Sequence, residues 1–137
     1  MKARNVGAFV LSVCLPCAGL AHHSFAMFDF TKTTEITGTV KQFQWSNPHV
    51  WLDVIVSDTS GTQTTWGVEM GSPSALYRDG WRQNSVLPGD KVLVVIHPLR
   101  DGRSGGSLVS ATLPSGVKLM QSGPGAAARP SAGETRQ

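Results

Sequence analysis

Three histidines carry the sharpest chemistry in this chain. His22 and His23 are adjacent, and His49 follows Asn47-Pro48. Imidazole is the commonest protein ligand for copper and zinc. The stretch before them reads as the end of an export signal. Lys2 and Arg4 form a basic start, residues 6–15 are largely apolar, and the small residues Gly19 and Ala21 precede a cut. Cleavage after Ala21 makes His22 the first residue of the mature chain. Its amine and ring nitrogen then close a chelate on one metal, and His23, His49 or His97 adds a further imidazole, a set that suits Cu(II). Cleavage one residue earlier puts His23 third, where amine, backbone amides and imidazole form a square-planar copper site. The bland alternative is a frayed, solvated terminus, with His49 bonding the backbone of its turn.

A second constellation lies further along. Trp51 shares a strand face with His49 and Asp53, and Glu69 on the next strand falls on the matching face. With Asn47 in the adjoining turn, these side chains could grip a sugar, peptide or aromatic ligand by stacking and hydrogen bonding. Asp53 and Glu69 could also serve as an acid/base pair, but no nucleophile motif accompanies them. Gly102-Arg103-Ser104-Gly105-Gly106 lacks the helix that a phosphate loop requires and reads as a mobile connection. Trp66 and Trp81 read as core.

The rest of the sequence bounds these sites. The chain has 137 residues and a formal charge of +3. Residues 1–21 read as a secretory signal peptide whose apolar run is too short to span a bilayer, which takes about 20 residues. The expected destination is the bacterial periplasm, with no membrane insertion after cleavage. Both cysteines, Cys14 and Cys17, lie within the signal, so the mature chain offers no disulfide, thiolate ligand or thiol nucleophile. Loss of Lys2 and Arg4 leaves ten basic side chains against nine acidic. A near-neutral chain without a basic run argues against nucleic acid as a partner; the expected partners are a metal ion, a small ligand or a periplasmic protein. From residue 121 the chain is rich in Gly, Ala and Pro without periodicity, which reads as a disordered tail over 121–137.

Residues 22–120 therefore form one domain. Strands are expected over 34–44, 49–57, 64–70, 91–97 and 108–113. In the first, Ile36, Gly38 and Val40 share a parity that Phe43 and Trp45 do not, which indicates a bulge or a sharp coil of the strand, aided by Gly38. Ser72 as N-cap, Pro73 at the first helical position and Gly80 as stop mark a short helix between the third and fourth strands. The order predicts a mainly β fold: a small five-stranded OB-like Greek-key barrel with one short helix. An open β-sandwich is the competing architecture, and the helix at that place disfavours it.

Several motifs also resemble a family of small exported bacterial proteins known only as a domain of unknown function. They are A-H-H-S-F at residues 21–25, T-G-T-V at 37–40, W-S-N-P-H-V-W at 45–51, W-G-V-E-M-G-S-P at 66–73 and P-G-D-K-V at 88–92. The resemblance covers nearly all of the expected domain. It implies export and a compact β-rich domain without an assigned activity, and it points to His22, His23, Asn47, His49 and Glu69 rather than to His97.

Overall fold

The computed structural model describes residues 25–123. The expected signal peptide, His22, His23 and the tail from residue 124 lie outside the described residues. A 3-10 turn, Phe25–Met27, leads into β1 (Thr34–Gln44), β2 (Trp51–Ser57), β3 (Gln63–Glu69), α1 (Pro73–Arg78), β4 (Lys91–Pro98), β5 (Gly105–Thr112) and β6 (Lys118–Met120). The hydrogen-bonded order is β3-β2-β1-β4-β5-β6, and a parallel pairing of β3 with β5 closes five strands into an OB-like barrel. Among the described residues no helix is long and apolar enough to cross a membrane.

Alternation of side chains explains the barrel. Leu52 and Val54 of β2, Val68 of β3, Val92, Val94 and Ile96 of β4, and Leu108 and Ala111 of β5 all point inward and are buried. In β1 the parity changes along the strand. Ile36 and Val40 are core residues, while Phe43 and Trp45 pack against the core from the opposite parity. The extra residue is Lys41, where the β1–β2 register shifts between Val40 and Gln42. The bulge therefore lies three residues beyond Gly38. Gly38 instead permits a close strand crossing. A Cβ there would lie 2.4 Å from the Ile55 carbonyl oxygen, so only glycine lets β1 and β2 approach so closely.

The helix ends follow from their caps. Ser72 Oγ accepts from Ala75 N at 3.4 Å, and Pro73 occupies the first turn. At the other end Gly80 takes a φ of +97°. Trp81 N then donates to Leu76 O at 2.9 Å and Gly80 N to Tyr77 O at 3.3 Å, which is the Schellman arrangement. This turn sends Trp81 into the barrel, where it is fully buried with Leu76. Its indole Nε1 donates to Met120 O at 3.1 Å, so the plug is tied to β6.

Three features depart from the sequence reading. β5 begins at Gly105, not at 108, and absorbs two residues assigned to a mobile loop. β6 is an added strand, paired with β5 through Ser110, Ala111 and Thr112. Gln121 and Ser122, placed in the tail by composition, are tied to the barrel. Gln121 Oε1 accepts from Gly71 N at 2.7 Å, and Asp79 accepts from the Ser122 backbone N–H and hydroxyl, both at 2.7 Å.

Candidate functional site

The core-facing parity of β2 and β3 fixes what stands outside. Trp51 is paired across the ladder with Glu69, and Asp53 with Gly67. Directly opposed residues share a face, so Trp51, Asp53 and Glu69 form one outer patch, as their spacing predicted. Gly67 leaves a gap in that patch. A Cβ there would meet only Asp53 Oδ1 at 3.8 Å and Trp51 Cζ3 at 3.9 Å. Trp51 itself remains 39% exposed.

A cleft of about 190 Å³ opens beside this gap, lined on the sheet by Trp51, Gly67 and Gly106. Its other walls come from two places that the sequence did not connect to Trp51. Leu99, Arg103 and Ser104 belong to the turn joining β4 to β5. Met27 and Phe28 come from the N-terminal segment. That segment is held in place by a bridge between Phe28 and Leu99. Asp29 N also donates to Pro98 O at 2.8 Å, and Arg100 N to Met27 O at 2.9 Å. The β4–β5 turn is braced by Asp101, whose carboxylate accepts from Arg103 N at 3.1 Å and Arg103 Nε at 2.7 Å. These bonds hold the Asp101 carboxyl below its usual range, the backbone bond from Arg103 contributing most.

Glycines make this closure possible. A Cβ on Gly105 would lie 2.7 Å from Gly67 O, and one on Gly106 would lie 2.3 Å from His97 O. β3, β5 and β4 therefore meet at distances that only glycine permits. The available sequence signal was a Gly-Gly pair just before the apolar strand, which can mark close backbone approach as well as a loop.

His49 lies at the edge of the same face. It precedes β2, and its imidazole Nδ1 pairs with Glu69 Oε1. Glu69 is only 7% exposed, whereas the His49 side chain is about a third exposed. Asn47, in the β1–β2 loop, is exposed and does not line the cleft. The Asn47-Pro48 peptide is cis. His97 is buried elsewhere on β4, with its Nδ1 2.7 Å from Lys32 O and its ring edge-on to Phe30 at 5.1 Å. Among the described residues there is no group of three or more His, Cys, Asp or Glu that could hold a metal ion. His22 and His23 fall outside that set.

Residues 10–109 match a family of unknown function (DUF6152), and the chain belongs to that family. No curated protein matches it. Among solved structures it is similar to the mitochondrial single-stranded DNA-binding protein of S. cerevisiae, with 12% identity and a TM-score of 0.45 over 60% of this chain and 93% of that one. That protein is named for binding single-stranded DNA, and the exclusion of nucleic acid drawn from net charge is not upheld. Net charge sums the whole chain and says nothing of local placement: Arg100 and Arg103 gather on one turn, and Arg103 reaches the cleft beside Trp51.

Proposed function

We propose that this chain is an exported, periplasmic binding protein that does not turn over its ligand, and that an organic ligand or a partner's side chain docks in the Trp51 cleft. The observation that carries this is Trp51, 39% exposed and standing beside the gap left by Gly67 at the mouth of a cleft. A large aromatic left in the open next to a concave surface is a common anchor for ligands. The position supports it too: the strand-two and strand-three face and adjacent loops are where OB-type barrels present their ligand platform. The test is a ligand-observed NMR screen of small organic compounds against the native chain and Trp51→Ala. Compounds that bind the native chain and lose contact with an equally well-folded Trp51→Ala support the reading. Binding that is indifferent to Trp51 overturns it.

A second reading, Cu(II) binding, is favoured by the His49–Glu69 pair. A carboxylate that accepts the Nδ1 proton fixes the imidazole tautomer and leaves Nε2 as the donor to a metal. His49 then supplies one ligand and Glu69 orients it. The further ligands would come from His22 and His23. His22 is five residues from Met27 at the cleft, a reach of up to about 17 Å for extended chain. The test is mass spectrometry of the protein taken from the periplasm, followed by copper competition against a chelator. A chain starting at His22, holding one copper that is lost in His22→Ala and weakened in His49→Ala, supports the site. Copper affinity unchanged in both variants removes it.

A further inference from the structure

We infer that the ligand of the Trp51 cleft is a small planar aromatic carboxylate, with its ring against Trp51 and its carboxylate at Arg103 and Ser104. This rests on the cleft reading and narrows it to one chemistry.

Size comes first. The cleft holds about 190 Å³, and an apolar cavity of about 150 Å³ is known to accept benzene. One ring with a carboxylate matches that volume. The walls decide the ring's character. Beside the Trp51 ring stand Phe28, Leu99 and the thioether of Met27. A sugar of the same size would press hydroxyls against these apolar groups without partners, which is unfavourable. An aromatic ring stacks on the indole and meets the methionine sulfur favourably.

Charge sets the headgroup. Among the described residues Arg103 is the one charged side chain that lines the cleft. Asp101 grips its Nε at 2.7 Å, which orients the guanidinium plane and leaves the two terminal amino groups for a bidentate contact with a carboxylate. The Ser104 hydroxyl adds a donor at the same end. Asp53 stands across the Gly67 gap, its Oδ1 3.8 Å from where a Cβ would be. Its negative charge repels a carboxylate from that end, so the ligand has one orientation.

The test is calorimetric titration of the purified chain with three probes: benzoate, benzamide and cyclohexanecarboxylate. Benzoate is expected to bind about tenfold more tightly than benzamide, the worth of one charge-assisted contact, and more tightly than cyclohexanecarboxylate. Arg103→Gln should erase the preference for benzoate over benzamide, Asp53→Asn should tighten benzoate, and Trp51→Ala should abolish both aromatic probes. Melting temperatures confirm that the variants fold. Equal binding of benzoate and benzamide, both lost in Trp51→Ala, overturns the carboxylate assignment and leaves the cleft intact. Equal binding of cyclohexanecarboxylate overturns the aromatic ring. Failure of all three probes overturns the ligand class, and the Trp51→Ala screen then decides the cleft itself.

Discussion

Two glycine substitutions should separate the cleft from the barrel that forms it. In Gly67→Ala the new methyl meets Asp53 Oδ1 at 3.8 Å and Trp51 Cζ3 at 3.9 Å, both ordinary contacts. Replacing a strand glycine also removes backbone entropy from the unfolded chain, worth about 0.5–1 kcal/mol. The expected melting temperature is therefore unchanged or slightly higher. The same methyl, however, stands in the gap beside the Trp51 ring. A ligand seated there must shift, and overpacking of about 1–3 kcal/mol corresponds to roughly 5- to 150-fold weaker binding. Gly106→Ala should do the reverse. Its methyl would sit 2.3 Å from His97 O and 2.9 Å from Ile96 Cδ1, against an ordinary contact of at least 3.4 Å. β5 must then retreat from β4 by about 1 Å, which adds overpacking of about 1–3 kcal/mol to weakened ladder bonds worth about 0.5–1.5 kcal/mol each. For a domain of about 100 residues that lowers the melting temperature by about 10 °C or more. Differential scanning calorimetry and ligand titration of both variants give the answer. A Gly67→Ala protein that melts well below the native one, or a Gly106→Ala protein that melts with it, refutes the geometry of this face.

Other perturbations follow from the same structure. Trp81→Ala empties the fully buried plug and should cost about 3–5 kcal/mol, a large share of a domain's usual stability; Trp81→Phe loses the bond to Met120 O but leaves a much smaller cavity, and should cost less in the same denaturant titration. The His49–Glu69 pair should give a coupling of about 0.5–3 kcal/mol in a double-mutant cycle with His49→Ala and Glu69→Ala, and strictly additive effects would mean the pair is not formed in solution. The Asp29 carboxyl is held down from 3.8 to about 2, first by the Thr31 hydroxyl and then by Lys32. A depressed carboxylate stabilises the fold above its unfolded value, and that contribution is lost as pH falls through the folded one. Stability should therefore decline between about pH 4 and pH 2, and the decline should be shallower in Asp29→Asn when followed by circular dichroism.

Much of the barrel was legible because its signals are local. Alternation in β2 and β4 fixes which side chains face inward, and Ser72, Pro73 and Gly80 mark the helix by capping chemistry alone. The parity change between Val40 and Phe43 announced a bulge, but alternation shows only that an extra residue exists in that interval. Its place at Lys41 is set by the β1–β2 register, which is a tertiary fact. β6 was missed for a similar reason: Lys118–Met120 is too short to carry a period, and it becomes a strand because β5 offers it an edge.

The site divides along the same line. Trp51, Asp53 and Glu69 could be placed on one face from spacing, since β2 and β3 are joined by a hairpin whose alternation sets their parity. Arg103, Ser104, Met27 and Phe28 could not, because they reach Trp51 only when β3 and β5 pair in parallel and the N-terminal segment bonds to the end of β4. Both events depend on long-range closure, and the residues that permit the strands to close are glycines with no side chain to advertise a role. Gly105 and Gly106 read as flexibility in the sequence, yet in the fold they are buried strand positions where any side chain would collide with a carbonyl. The missing side chains therefore have opposite consequences on the two strands: on β5 they let the barrel shut, and at Gly67 they leave open the gap beside Trp51. That contrast is why Gly67 and Gly106, two glycines on neighbouring strands, should respond to the same substitution in opposite ways.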